Sequence, residues 1–303
     1  MIGAAPQLLA WYRDHGRSHL PWRQTRDPYS IVVSEFMLQQ TQVDRVLPIY
    51  EAFIAAFPSF AALAAVDAGD VVRAWRGLGY NSRAVRLHAL ARTVMETHGG
   101  VLPQSRDALL ALPGIGPYTA AAVRAFAFEC DDAALDTNIR RIVHRVMLGL
   151  EYPPLANAQE LDAIATDAIP VDRGHDWNSA MMDLGSTVCM ARAPKCLLCP
   201  LQQSCVASPV DATCLSTLAK AHAKRAPQAS LPFERTTRFL RGRIIERLRD
   251  EPGLEVMTIS ALIHDLVTVV PPDRVAEIPH IVDVLVKEGI VRASEHGITL
   301  RSS

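Results

Sequence analysis

From the first residues to about position 205, apolar side chains recur three and four positions apart, with charged or small polar residues between them. That spacing predicts consecutive amphipathic helices over 29–42, 43–57, 70–77, 82–98, 118–128, 138–148 and 177–188. Breakers separate them: Pro58, the Gly77–Gly79 pair, Gly99-Gly100, and the run Leu112-Pro113-Gly114-Ile115-Gly116-Pro117. Nothing in this stretch alternates with period two. From 207 to 232 the composition shifts to Ser, Pro, Lys, Ala and Gln, which reads as a linker. Beyond it, helices are expected over 236–249, 260–266 and 276–288. A hairpin follows over 290–293 and 297–301, turning at Glu295-His296-Gly297. The expected fold class is therefore mainly all-α, with a domain over 1–206, a linker over 207–232 and a winged-helix-like domain over 233–303.

The chain has 303 residues, enough for one large core or two modest ones. Apolar residues make up 49% and aromatics 6%, and the abundant Ala, Leu and Val suit packed helices. The formal net charge of −1 neither supports nor excludes a nucleic-acid partner, because a local basic stripe suffices for one. The first residues lack a charged segment followed by an apolar stretch, so no signal peptide is expected. The longest apolar run, 52–66, is broken by Pro58 and Ser59 and is too short for a bilayer. A cytoplasmic location is expected, where thiols are seldom structural disulfides.

Four of the six cysteines, Cys189, Cys196, Cys199 and Cys205, follow the spacing C-x6-C-x2-C-x5-C. Thiolates crowded into one loop suit either a zinc ion or an iron–sulfur cluster. Cys130 and Cys214 lie outside the set. Leu112-Pro113-Gly114-Ile115-Gly116 joins two expected helices, and its glycines let backbone N–H groups approach an anion. Alone, it is equally a plain helix–helix connection.

Two acids stand out for chemistry. Asp136 follows the apolar run Ala133-Ala134-Leu135 and opens a helix with Asn138, so on local sequence it reads first as a helix cap. Glu35 lies in Ser34-Glu35-Phe36-Met37-Leu38-Gln39-Gln40-Thr41-Gln42, and local sequence equally allows a solvated helix face. In the tail, Arg235, Arg238, Arg241, Arg243, Arg247 and Arg249 surround one helix, either as a solvated basic face or as phosphate contacts.

The cysteine spacing, with Pro194-Lys195-Cys196 and Cys199-Pro200 inside it, resembles the iron–sulfur loop of the helix-hairpin-helix superfamily of endonuclease III and the adenine DNA glycosylases. The hairpin followed by Tyr118-Thr119-Ala120 and by Leu135-Asp136-Thr137-Asn138 resembles the same superfamily. The segment from Leu20-Pro21-Trp22-Arg23 to Gln42 is similar to the MutY type of adenine DNA glycosylase.

The resemblance implies a [4Fe–4S] cluster on Cys189, Cys196, Cys199 and Cys205, with Arg192 and Lys195 on a loop that meets DNA phosphates. Leu112, Gly114, Ile115 and Gly116 would hold the DNA backbone. Glu35 would protonate the adenine, Asp136 would stabilise the sugar cation, Asn138 would support Asp136, and Tyr118 would lie against the sugar. Gln40, Thr41, Leu78 and Tyr80 would wedge into the duplex, and Arg23 would lie near the adenine pocket. A lysine stands at the Tyr118 position in bifunctional relatives, so Tyr118 implies a monofunctional enzyme. Double-stranded DNA carrying a mispaired adenine is the implied partner of a monomer.

The resemblance ends near residue 205. Full-length members carry a β-rich nudix-like domain that recognises 8-oxoguanine, which the short helical tail does not match, so the chain resembles the short form. Thr137 stands where Gly is common, and Asn81 where Tyr is common. The rival readings are a thymine or uracil mismatch glycosylase of the same fold and a non-catalytic DNA-binding protein on this scaffold.

Overall fold

The computed structural model describes residues 2–152, 154–222, 231–250 and 256–300. In chain order the helices before the cysteine loop are α1 (Ala5–His15), α2 (Pro28–Leu38), α3 (Val43–Ala56), α4 (Phe60–Ala64), α5 (Ala68–Ala74), α6 (Ser82–His98), α7 (Arg106–Leu110), α8 (Pro117–Ala127), α9 (Thr137–Met147), α10 (Ala158–Asp167) and α11 (Gly174–Thr187). After it come α12 (Ala212–Ala221), α13 (Thr237–Asp250), α14 (Ile259–Leu266) and α15 (Ile278–Lys287), then β1 (Val291–Ser294) and β2 (Gly297–Leu300).

The helix ends follow local chemistry. Ser59, Ser105, Asp136, Asn157, Asp211 and Thr258 each accept a first-turn amide hydrogen bond with the side chain. Gly99, at φ 60°, closes α6 in the left-handed conformation that favours glycine. α2 stops at Leu38, short of the expected Gln42, because Gln40 turns left-handed at φ 57°.

The described residues form two compact units. One draws on Met1–Glu35, Pro103–Ala111 and Ile115–Ala226. Its core joins α1, α9 and α11 through Leu8, Leu135, Ile139, Ile142, Val143, Trp177, Met181 and Leu184. Each such fully buried aliphatic side chain contributes about 1.5–3 kcal/mol. Gly185 lets α11 approach α9 closely, since a β-carbon there would lie 2.6 Å from the Asn138 β-carbon. The other unit draws on Phe36–Leu102, Leu112–Gly114 and Pro227–Ser303. There α4 and α5 pack on α6, and α13 packs on α14 and α15. β1 pairs antiparallel with β2, Val291 opposite Leu300, and β2 rests against α5.

These units cross the boundaries that composition places at 206 and 233. The middle of the chain, 36–102, groups with the tail, where β2 meets α5 and Arg249 of α13 donates to the Val72 carbonyl, so contacts between sequence-distant segments override the change in composition. The three helices and hairpin expected in the tail are present, with Arg301 outside the described residues. The stretch expected as a linker contains α12, a correction to that reading. Asp211 caps it through the Cys214 amide at 2.6 Å, and Leu215 is buried beneath it. Residues 223–230 of that stretch lie outside the described residues.

Candidate active site and cysteine loop

α2 carries Glu35 inward among Val33, Phe36 and Met37, and the carboxyl is buried. Burial pushes its pKa up to about 7, a Tyr118 hydrogen bond pulls it down, the Asp136 charge pushes it up, and the Arg23 charge pulls it down. Tyr118 enters from the first turn of α8, which Gly116 opens. Its own pKa is well above the ordinary phenol value, from burial first and then from Glu35 and Asp136. The structure thus brings Glu35, Tyr118, Asp136 and Arg23 into one electrostatic neighbourhood.

Asp136 is both a cap and a charge. Its Oδ1 accepts from the amides of Asn138 at 2.8 Å and Ile139 at 2.7 Å, so it does cap α9. Its Oδ2 accepts from the Asn138 side-chain amide at 2.8 Å. Asn138 Oδ1 in turn accepts from Arg141 Nη2 at 2.9 Å. Arg141 reaches further, donating to the carbonyls of Gly185 and Cys189, each at 2.8 Å. A continuous run of hydrogen bonds therefore joins Asp136 to the cysteine loop.

Arg23 is fixed by Asp183, which is fully buried. Its two terminal nitrogens meet the carboxylate at 2.8 and 3.1 Å, and Arg17 meets the same carboxylate at 2.7 Å. Removing Asp183 would strand two arginines, a change that costs about 3–5 kcal/mol for a buried pair.

Cys189, Cys196, Cys199 and Cys205 line one cavity, together with Ile142, Val146, Leu184, Val188 and Leu201. Burial pushes the Cys199 thiol up to about 11, helped by the neighbouring Cys189, Cys205 and Cys196. Among the described residues, no group of three or more His, Cys, Asp or Glu side chains closes on a single ion. Four thiols around one cavity suit a metal ion or a metal–sulfur cluster. Arg145, buried and paired with Glu151, directs Nη1 at Cys189 Sγ at 3.6 Å. The Val210 amide points at Cys196 Sγ at 3.5 Å. Such donors suit thiolate ligands, so the site fits the group that the sequence implies. Arg192 and Lys195 are exposed on this loop.

The hairpin leaves its backbone, not its side chains, to a ligand. Leu112 and Ile115 are buried, so their side chains serve the core and only their backbone is available to a ligand. Gly114 has φ 79°, and a β-carbon there would lie 2.9 Å from the Phe36 ring. Gly116 opens α8 without a side-chain cap, which leaves the first-turn amides to another acceptor.

Of the expected wedge residues, Gln40 and Tyr80 are exposed and Thr41 is half-buried. Leu78 is buried. Arg83 organises both segments. Its guanidinium donates to the carbonyls of Phe36 and Met37, each at 2.9 Å, and to that of Gln39. It also donates to Leu78 at 3.2 Å, Gly79 at 3.1 Å and Thr41 Oγ1 at 3.0 Å. A cation thus closes the C-terminal end of α2 and ties the 39–41 turn to the 78–80 turn. Burial lowers its pKa to about 10, where it stays charged at neutral pH.

Sequence reasoning missed Arg83, Arg141, Arg145 and Asp183. Arg141 and Arg145 stand four apart and therefore share the helix face that looks at the cysteines, a signal available in the sequence. Asp183, an acid flanked by Met181, Met182 and Leu184, is a second such signal.

A buried, protonatable acid beside a carboxylate-capped helix can supply a proton next to a fixed negative charge. The family pattern of HhH-GPD superfamily base excision DNA repair proteins matches residues 33–162. An adenine DNA glycosylase of Mycolicibacterium smegmatis is 41% identical over 245 residues, covering 80% of this chain and 80% of the relative. A thermostable thymine-DNA glycosylase structure superposes with a TM-score of 0.62 at 33% identity, covering 66% of this chain and 93% of that one. A trapped endonuclease III–DNA intermediate shares the fold, with a TM-score of 0.58 at 22% identity over 67% of this chain and 93% of that one. The chain belongs to the HhH-GPD superfamily of base excision DNA repair proteins. Among the described residues, no helix is long and apolar enough to cross a membrane.

Proposed function

We propose that this chain is a monofunctional DNA glycosylase that excises adenine mispaired with 8-oxoguanine or guanine. The observation that carries the reading is the Glu35 carboxyl, whose pKa near 7 keeps a large protonated fraction at neutral pH. A flipped adenine entering this site accepts the Glu35 proton on a ring nitrogen, and the base–sugar bond breaks with its electron pair leaving on the base. The sugar cation left behind faces the Asp136 carboxylate, and water completes the hydrolysis. The adenine glycosylase relatives support adenine as the base. Tyr118 offers no amine for an imine, so borohydride should trap little enzyme on DNA, and Tyr118→Lys should gain trapping.

The first-turn amides of α8 and the exposed Arg192 and Lys195 would bind phosphates of double-stranded DNA. Gln40 and Tyr80, with Thr41 behind them, would fill the gap left by the flipped base. Cys189, Cys196, Cys199 and Cys205 would ligate a [4Fe–4S] cluster, which would order the loop that carries Arg192 and Lys195. The expected preparation, from a cytoplasm that keeps the thiols reduced, holds iron and inorganic sulfide at about four each per chain. Stoichiometric zinc without iron would overturn the cluster.

The likeness to a thymine-DNA glycosylase gives the rival substrate its own observation. Single-turnover excision on duplexes carrying A, T, U or hypoxanthine opposite G and 8-oxoguanine decides between them. Adenine release in both contexts is the expected result. Release of thymine or uracil without adenine would replace the proposal, and release of no base would leave a DNA-binding protein on this scaffold.

A further inference from the structure

The tail arginines have separate fates. Arg235 pairs with Asp273 and Arg243 with Glu246, each at 3.1 Å, and Arg247 pairs with Asp265 at 2.7 Å. Arg241 forks onto Glu288. These four are neutralised in place, which argues against a broad phosphate-binding stripe. Arg249 turns inward, donating to the Val72 carbonyl at 3.1 and 2.8 Å and to Asn81 Oδ1.

Arg238 is exposed, and among the described residues no carboxylate pairs with it. Its guanidinium carbon lies 4.5 Å from the Tyr80 ring centroid. It is also the group that a β-carbon on Gly79 would meet first, at 4.0 Å. Arg238 and Arg249 are about three helical turns apart and so share one face of α13. That face grips both ends of the 79–81 segment. Within it Gly79 has φ 69° and Tyr80 φ 47°, conformations that a non-glycine residue holds only under constraint.

We propose that Arg238 is a specificity-determining residue which, with Arg249 anchoring Asn81, holds Tyr80 so that the tail helix reads the base opposite the excised one. The inference rests on the excision reaction proposed above. Stacking uses the face of the guanidinium and leaves its in-plane N–H donors free. A purine that carries a carbonyl at its C8 position offers those donors an acceptor that guanine lacks. The tail would thus supply a local lesion contact through Tyr80.

The test measures single-turnover adenine release from A:8-oxoguanine and A:G duplexes by the full chain with its cofactor. Arg238→Ala should lower the ratio of the two rates about two- to fivefold, the scale of an exposed cation–π contact. Arg238→Lys should lower it nearly as far, because an ammonium lacks the planar fork. In a Tyr80→Leu background Arg238→Ala should change the ratio no further, which a general structural role would not produce. Arg243→Ala, which removes a neutralised arginine, should leave the ratio at the wild-type value. A wild-type ratio in Arg238→Ala, or equal loss on both duplexes, overturns the inference. Wild type that releases no adenine from either duplex overturns the function proposal itself, a distinguishable failure.

Discussion

Arg141 donates through Nε to the carbonyl oxygen of Cys189 at 2.8 Å, tying the start of the cysteine loop to the helix that Asp136 caps. The same guanidinium holds Asn138, whose amide holds the second Asp136 oxygen. Lysine keeps the charge and loses the fork that meets three acceptors at once. Arg141→Lys should therefore slow excision about tenfold or more, as expected for hydrogen bonds to charged groups worth about 1.5–3 kcal/mol. Single-turnover rates at matched iron content check this, and a wild-type rate would show that Asp136 needs no such support.

Glu35 gives two opposite pH signatures. As a proton donor it works in its acid form, so excision should decline as pH rises through about 7. For stability, the folded midpoint lies above the ordinary value of 4.5, so the unfolded chain releases the proton first. Stability is then fully present below about pH 4.5 and is lost as pH rises toward 7, by about 3 kcal/mol at most. Glu35→Gln should abolish excision and melt higher than wild type at pH 8, with the difference gone near pH 4. Retained excision would show that another group supplies the proton.

Tyr118 tunes that acid. Its hydrogen bond favours the Glu35 carboxylate, so Tyr118→Phe removes a downward pull. The alkaline limb of the pH–rate profile should then move above its wild-type midpoint. An unmoved limb would mean that the phenol does not bond Glu35 in the working enzyme.

The sequence is most legible where local chemistry decides. α6 spans the expected 82–98, because Gly99-Gly100 can end a helix and little else competes there. The tail hairpin turns at the expected Gly297 for the same reason. Legibility failed where distant segments decide. Glu35 and Tyr118 are more than eighty positions apart, and only the family resemblance, not the local pattern, joined them. Arg83 gathers carbonyls from two turns that no periodicity relates. Leu78 is buried while Tyr80, two positions on, is exposed, a difference that the local pattern does not show. The six tail arginines read as one basic face, and only their acidic partners show that most are already neutralised: Glu246 on α13 itself, Asp265 on α14, Asp273 before α15 and Glu288 just after it.

Asp136 separates two roles that the sequence left side by side. As an N-cap it satisfies the amides of Asn138 and Ile139, a job that asparagine does about as well. As a charge it would face a sugar that becomes cationic only in the transition state, and there an amide would be a poor substitute. Asp136→Asn should therefore keep most of the thermal stability while slowing excision about 10²–10³-fold, the scale of losing one preorganised electrostatic contact. Asp136→Ala should lose the cap as well, destabilising the fold by about 1 kcal/mol and matching the asparagine variant in rate. Thermal melts beside single-turnover rates separate the two contributions. If Asp136→Asn excises adenine within tenfold of wild type while Asp136→Ala does not, the carboxylate works through the cap alone and its charge has no part in the chemistry.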